Sequence, residues 1–128
     1  MYQTNYVRAK DTSDAVAKLD NEAKILAGGM TLIPSMKQLL SSPTNLIDIQ
    51  NINELKGIHK LENTIIVGAL TTHNEVANSQ IIKENISGLS YLASKIADNA
   101  VRNSGTLGGS ICNADPAADY PAALLSLN

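Results

Sequence analysis

The sequence predicts a mixed α and β fold that opens with a three-stranded parallel sheet. Short apolar strand candidates alternate with helical segments over the first 55 residues. A hairpin pattern follows at residues 57–68, and an amphipathic helical pattern appears at residues 89–96. The change from alternating elements to a hairpin near residue 55 therefore divides the chain into two parts, 1–55 and 56–128.

The first part is predicted to have the order β-α-β-α-β. Strands are expected at residues 6–8, 25–27 and 45–49. Ser13 is predicted to cap the first helix, and a second helix is predicted over residues 31–40 with Pro34 in its first turn. Since a helix connects each strand to the next, the three strands are expected to run parallel.

The second part is predicted to begin with a hairpin and to continue as helices. Glu62 and Asn63 separate two apolar runs, which is typical of a tight hairpin turn. Thr72 and Glu75 have the spacing of a capping box. An amphipathic helix is predicted from Leu89, Leu92, Ala93 and Ile96. Helix starts are also predicted at Asp115-Pro116 and Asp119-Tyr120-Pro121, because a carboxylate precedes an early proline in both.

Composition excludes several classes of protein. The chain has 128 residues, a hydrophobic fraction of 44%, and neither Phe nor Trp, so one aliphatic core is expected. A net charge of −2 and only two arginines argue against a nucleic-acid surface. Cys112 is the single cysteine, which excludes an internal disulfide. No signal peptide or membrane span is recognisable, and a reducing cytoplasm is the expected compartment.

A first glycine segment, residues 27–34, stands between a predicted strand and a predicted helix. Without Cβ atoms, Gly28 and Gly29 let backbone N–H groups approach an anion, and the helix start favours negative charge. Thr31 adds a hydroxyl donor. Taken alone, an ordinary strand–helix turn is the simpler interpretation, because the segment lacks the pattern of a phosphate-binding loop.

A second glycine segment occupies residues 101–121 and is richer in small polar side chains. Thr106, Ser110 and Asn113 could bond phosphate or sugar oxygens. The alternative is a tight loop between two helices, with Asp115 and Asp119 as helix caps. The residues by themselves leave both interpretations open. Two such segments in one small chain suggest a ligand with two linked phosphates.

Together the two segments resemble the FAD-binding medium subunit of the xanthine dehydrogenase and aerobic carbon monoxide dehydrogenase family of molybdenum hydroxylases. That family has an Ala-Gly-Gly-x-Ser/Thr-Leu-hydrophobic-Pro loop, matched by residues 27–34. Its Arg-Asn-x-Gly-Thr-hydrophobic-Gly-Gly-Asn/Ser loop continues into Asp/Ser-Pro-x-x-Asp-x-Pro, and residues 102–121 match this series. Ser110 stands where the family often has Asn.

The resemblance implies a two-lobed α+β FAD-binding fold, of the type that vanillyl-alcohol oxidase-like (PCMH-type) flavoproteins share. Residues 1–55 would form a complete first lobe and residues 56–128 the beginning of a second, truncated one, as in an N-terminal fragment. FAD would lie between the two loops. The implied FAD-contacting residues are Ala27, Gly28, Gly29, Met30, Thr31, Thr106, Leu107, Gly108, Gly109, Ser110, Asn113 and Asp119. No catalytic or metal-binding residue is implied.

The resemblance also implies partners: a small subunit with iron–sulfur clusters and a large subunit with the molybdenum cofactor. Electrons would pass from the clusters to FAD and on to an acceptor. Two other possibilities are a different FAD-dependent oxidoreductase of the same fold, such as a cell-wall sugar reductase, and a fragment without activity of its own. Exposed apolar surface on a truncated lobe could also favour a homo-oligomer.

The remaining polar and reactive residues have ordinary structural interpretations. We predict that Cys112 is a small core side chain and that His73 is exposed in the first turn of its helix. Arg102 is expected to anchor its segment by bonding carbonyls or a carboxylate. Asp48 is expected to end a strand, and Tyr120 to pack beside Pro121.

Overall fold

A computed structural model describes residues 2–127. The chain divides into two compact units, Met1–Glu54 and Leu55–Asn128. Each unit contains one of the two glycine segments, so the units are described separately.

The first unit contains a parallel β-sheet. Its strands and helices, in chain order, are β1 (Asn5–Arg8), α1 (Thr12–Ala17), β2 (Ala23–Leu26), α2 (Leu32–Lys37), β3 (Asn45–Asp48) and a short 3-10 helix that begins at Asn53. The strand order is β1-β3-β2, and β3 pairs in parallel with both neighbours. The predicted β-α-β-α-β order and the parallel sheet are confirmed.

Helix α2 covers one face of this sheet. Leu26 and Leu46 stand on neighbouring strands and point to the same face, where they pack with the buried Met36 of α2. The next residue of the central strand, Ile47, points to the opposite face and is also fully buried. The sheet is therefore fixed by burial on both faces of β3, as a central parallel strand requires.

Two details of the first unit differ from the prediction. The cap of α1 is Asp11, whose side chain accepts a hydrogen bond from the Asp14 N–H at 2.7 Å, while Ser13 lies inside the helix. Helix α2 ends at Lys37 rather than at Leu40, because Leu39 has a left-handed backbone with φ of 63°.

The second unit contains a hairpin followed by six helices among the described residues. These elements are β4 (Ile58–Leu61), β5 (Thr64–Val67), α3 (His73–Asn78), α4 (Gln80–Asn85), α5 (Ser87–Lys95), α6 (Asn99–Ser104), α7 (Leu107–Asn113) and α8 (Asp119–Leu125). The predicted hairpin is confirmed by antiparallel pairing of β4 and β5. The capping box of Thr72 and Glu75 is also present as predicted.

An aliphatic core joins the helices of the second unit. The predicted amphipathic helix is α5, which buries Leu89 and Ala93. These side chains belong to one cluster with residues from α3, α4, α7 and α8: Val76, Ala77, Ile82, Leu107 and Tyr120. Tyr120 is the one aromatic side chain of this cluster, in line with a composition that lacks Phe and Trp.

The start of α8 differs from the prediction. Its N-cap is Ala118, so Asp119 is the first helical residue and caps nothing with its side chain. Asp115 is in a turn, where its carboxylate accepts a hydrogen bond from the Ala117 N–H at 2.9 Å. Leu125, the last residue of α8, is 77% exposed. Within residues 2–127, no helix is long and apolar enough to cross a membrane.

Candidate functional site

The first glycine segment follows β2 at the carboxyl edge of the parallel sheet and leads into α2. Gly29 has φ of +71°, and a Cβ atom there would lie 3.0 Å from a methyl group of Leu26 and 3.1 Å from Ile33. The backbone conformation therefore favours glycine at this position, and a Cβ atom would also crowd the two side chains. Ala27, Gly28 and Gly29 are partly exposed, while Met30 and Thr31 are exposed.

The carbonyl groups of this loop are engaged, and its N–H groups are free. The carbonyls of Leu26, Ala27 and Gly29 accept hydrogen bonds from Ile49 N, Gln50 Nε2 and Ile33 N, respectively. Within residues 2–127, the backbone N–H groups from Gly28 to Thr31 donate no hydrogen bond. A run of unpaired N–H donors beside a helix start is suited to binding an anion.

A buried carboxylate supports the same edge of the sheet. Asp48, which ends β3 as predicted, is 2% exposed and accepts hydrogen bonds from the Tyr6 hydroxyl and from Arg8 Nε at 3.2 Å. Its other oxygen accepts from the Gln50 N–H at 2.8 Å. Burial by itself raises the pKa of Asp48, but these hydrogen bonds outweigh burial and lower the pKa overall.

In the second glycine segment the backbone N–H groups already have partners. The N–H groups of Leu107 and Gly108 donate to Thr71 O and Ala69 O, both at 2.9 Å. Those of Gly109 and Ser110 donate to the Thr106 side chain and to the Thr106 carbonyl. Gly108 and Gly109 thus lie in the first turn of α7 instead of in an open loop.

Close packing explains two glycines of this segment. A Cβ atom on Gly108 would lie 2.6 Å from the Ala69 Cβ atom, and one on Gly105 would lie 2.7 Å from His73 Nε2. Both distances are shorter than a side chain can tolerate, so glycine lets α7 approach residue 69 and lets residue 105 approach the imidazole ring.

His73 is buried, and the prediction that it is exposed is wrong. It is 5% exposed, its N–H donates to Gly105 O at 3.0 Å, and its Nδ1 atom lies 3.2 Å from the Tyr120 hydroxyl. Burial lowers the pKa of His73, while burial and then the charge of Asp119 raise that of Tyr120. A neutral imidazole that accepts from a protonated phenol fits both shifts. The two rings connect the starts of α3 and α8. Tyr120 was expected to pack beside Pro121, and its contact with His73 was not predicted.

The polar groups that remain available in this segment belong to side chains. Ser110 is partly exposed, whereas Asn113 and Asp119 are exposed, and within the described residues none of the three side chains makes a hydrogen bond. Thr106 is buried and uses its hydroxyl group to cap α7. Of the second set of predicted contact residues, Ser110, Asn113 and Asp119 therefore offer free hydrogen-bonding groups.

Cys112 and Arg102 test two further interpretations. Cys112 is exposed on α7, so its prediction as a core side chain is wrong; the helix instead turns Leu107 into the core. Arg102 anchors its segment as predicted, because its guanidinium group donates to the carbonyls of Ile96 and Ala97. Across residues 2–127, no group of His, Cys, Asp and Glu side chains could hold a metal ion.

Sequence reasoning missed Gln50 and the buried ring pair. A signal existed for Gln50, because it follows the central strand and the carboxyl ends of parallel strands meet at one edge of a sheet. No comparable signal existed for His73, since the first turn of a capped helix is usually solvated. The contacts with Gly105 and Tyr120, both distant in sequence, explain its burial.

Comparison with known proteins places these features in a family. A family model described as the FAD binding domain in molybdopterin dehydrogenase matches residues 2–128. The carbon monoxide dehydrogenase medium chain of Hydrogenophaga pseudoflava is 42% identical over 120 residues, which cover 91% of this chain and 42% of that protein. The xanthine dehydrogenase FAD-binding subunit of Escherichia coli O157:H7 is 35% identical, with 90% of this chain and 40% of the relative covered.

A solved structure agrees with the sequence comparisons. Carbon monoxide dehydrogenase from Hydrogenophaga pseudoflava, in a form that lacks the Mo-pyranopterin moiety of the molybdenum cofactor, matches with a TM-score of 0.93 and 41% identity. The match covers 95% of this chain and 44% of that one. The chain therefore belongs to the family of FAD-binding domains of molybdopterin dehydrogenases, as its resemblance implied. It spans less than half the length of the relatives named here.

Proposed function

We propose that this chain is the FAD-binding portion of a medium subunit in a molybdenum hydroxylase, and thus part of an FAD-dependent oxidoreductase. The two compact units would be the two FAD-binding lobes, 1–55 and 56–128. The single observation that carries the proposal is the run of free N–H groups from Gly28 to Thr31, in a chain of an FAD-binding family. Such a run is suited to the diphosphate of FAD.

The two glycine segments would divide the contacts with FAD between them. Residues 27–31 would supply backbone donors to the diphosphate, because their N–H groups are unpaired. Residues 106–110 would contribute the hydroxyl group of Ser110 and the partly exposed Gly108 and Gly109 at the start of α7. Asn113 and Asp119 would bond the hydroxyl-bearing chain of the cofactor, since their side chains are exposed and unpaired within the described residues.

The chain's own contribution would be binding and orientation. FAD, when bound, supplies the redox chemistry, and no side chain of the chain is proposed to act as an acid, base or nucleophile. Electrons would come from iron–sulfur clusters on a small subunit, and the substrate would react at a molybdenum cofactor on a large subunit. Relatives named medium chain or FAD-binding subunit support this assignment. A cytoplasmic location and a homo-oligomer remain predictions from the sequence.

Titration of the purified chain with FAD, ADP and riboflavin tests the proposal. Recognition through the diphosphate predicts that FAD binds, that ADP competes with it, and that riboflavin binds at least about tenfold more weakly, because hydrogen bonds to charged groups are the stronger ones. Flavin fluorescence measures all three affinities. Equal affinity for FAD and riboflavin, or no binding of FAD, would count against a diphosphate site in these loops.

A further inference from the structure

We propose that Gln50 is a positioning residue for the first glycine loop: by holding the Ala27 carbonyl, it turns the Gly28 N–H toward the diphosphate of the bound cofactor. This inference rests on the proposed function and adds a residue outside both glycine segments. Gln50 stands two residues beyond β3, and its side chain donates a hydrogen bond to the Ala27 carbonyl.

Residues 49 and 50, which follow β3, make two consecutive hydrogen bonds to residues 26 and 27 at the end of β2. Ile49 N donates to Leu26 O at 3.1 Å, which continues the pairing of the two strands. Gln50 Nε2 then donates to Ala27 O at 2.7 Å. A side chain thus contacts the backbone just after β2, at the point where the loop turns away from the sheet.

Holding a carbonyl fixes the direction of the neighbouring N–H. The peptide group between Ala27 and Gly28 is planar and trans, so its C=O and N–H bonds point in opposite directions. Because the carbonyl points at Gln50, the Gly28 N–H points away from Gln50, and it meets no acceptor within the described residues. The contact therefore presents this donor for an external anion.

Glycine makes such a contact necessary. Gly28 and Gly29 allow many backbone conformations, and Gly29 already occupies the left-handed region. Without an outside contact, the peptide plane before Gly28 could rotate at low energetic cost and aim its N–H elsewhere. When the loop is oriented before binding, it loses less conformational entropy as the ligand binds.

Gln50 is itself held in place by a buried group. Its backbone N–H donates to Asp48 Oδ1, while Asp48 Oδ2 accepts from Tyr6 and Arg8. The two oxygens of Asp48 thus connect the ends of β1 and β3 to the residue that holds the loop. Substitution of Gln50 therefore removes its side-chain contact with Ala27 and keeps its backbone contact with Asp48.

Substitution of Gln50 by Met tests the inference, because Met has a similar length and no charge but cannot donate to Ala27 O. We expect the Kd for FAD to rise about tenfold, which corresponds to the loss of one charge-assisted hydrogen bond. The weaker affinity for riboflavin should stay unchanged, because riboflavin has no diphosphate. Gln3→Met is the matched control, since Gln3 is exposed before β1 at the opposite edge of the sheet. It should leave both affinities as they are.

Inorganic pyrophosphate separates positioning from general damage to the fold. In nitrogen-15 NMR spectra, pyrophosphate should shift the Gly28 amide signal of the original chain, and this shift should shrink in Gln50→Met while the α5 signals remain unchanged. If the original chain and Gln50→Met bind FAD with equal affinity, the inference is overturned and the proposed function stays intact. No response of the original chain to either FAD or pyrophosphate would overturn both.

Discussion

Gly108 and Gly88 are each the second residue of a helix, α7 and α5, but their surroundings differ. A Cβ atom on Gly108 would overlap the Ala69 backbone, at 2.7 Å from its oxygen and 2.8 Å from its Cα atom. A Cβ atom on Gly88 would have no atom within 4 Å. The same residue type therefore has a packing role in α7 and none in α5.

We expect Gly108→Ala to lower the free energy of unfolding by about 1–3 kcal/mol, the usual cost of overpacking. Gly88→Ala should raise it by about 0.5–1 kcal/mol, because alanine restricts the unfolded chain and favours helix. Urea unfolding followed by circular dichroism measures both values. Changes of the same sign would contradict the assignment of Gly108 to close packing.

At the scale of elements, the helices that follow the two glycine segments start differently. Thr106 caps α7, and its hydroxyl group accepts from the Gly109 N–H at 3.1 Å. Thr31 stands at the same position of α2, but it has helical backbone angles and its side chain makes no capping bond. The backbone N–H groups from Gly28 to Thr31, just before α2, are unpaired within the described residues, whereas those at the start of α7 are used internally.

We expect Thr106→Ala to cost about 1 kcal/mol of stability, the typical loss of a capping side chain. Thr106→Ser keeps the hydroxyl group and should recover most of that loss, which separates the cap from the missing methyl group. Thr31→Ala should change stability by less than about 0.5 kcal/mol, as for a surface substitution without a partner. The expectation fails if Ser and Ala at position 106 are equally destabilising in thermal unfolding.

Local sequence signals predicted the elements whose causes are local. The parallel sheet follows from three short apolar strands with helices between them, and the hairpin from the turn at Glu62 and Asn63. The capping box of Thr72 and Glu75 is likewise contained in four residues. In each of these cases the stabilising contacts lie close together in sequence.

Features that depend on distant contacts could not be predicted in the same way. Segment 99–113 is poor in strong helix formers and rich in glycine, yet it forms α6 and α7, and Ala69 and Thr71 accept hydrogen bonds from the first two residues of α7. The burial of His73 depends on Gly105 and Tyr120, about thirty and fifty residues away in sequence. Glycines in that segment left a phosphate loop and a tight loop between helices open as interpretations, and the structure shows that two of them are closely packed.

At the scale of the whole molecule, the buried groups His73 and Asp48 make stability depend on acid in separate pH ranges. His73 in the second unit has a pKa below its ordinary value of 6.5, because burial disfavours its charged form. The folded state therefore binds fewer protons than the unfolded state, and stability falls as the pH drops below about 6.5. Asp48 in the first unit has a pKa below 3.8, so its contribution is complete above that value and is lost only in stronger acid.

We expect the free energy of unfolding to fall between about pH 7 and pH 5 with a slope of at most about 1.4 kcal/mol per pH unit, the value for one proton. His73→Gln should reduce the slope of the free energy of unfolding over this pH range because Gln does not titrate, even if the variant is less stable at every pH. His59→Gln removes the other histidine, which is exposed on β4, and should retain the slope. Urea unfolding at a series of pH values gives the slopes directly. A slope that persists in His73→Gln would mean that other groups cause the acid sensitivity, and that the buried ring pair of His73 and Tyr120 tolerates protonation.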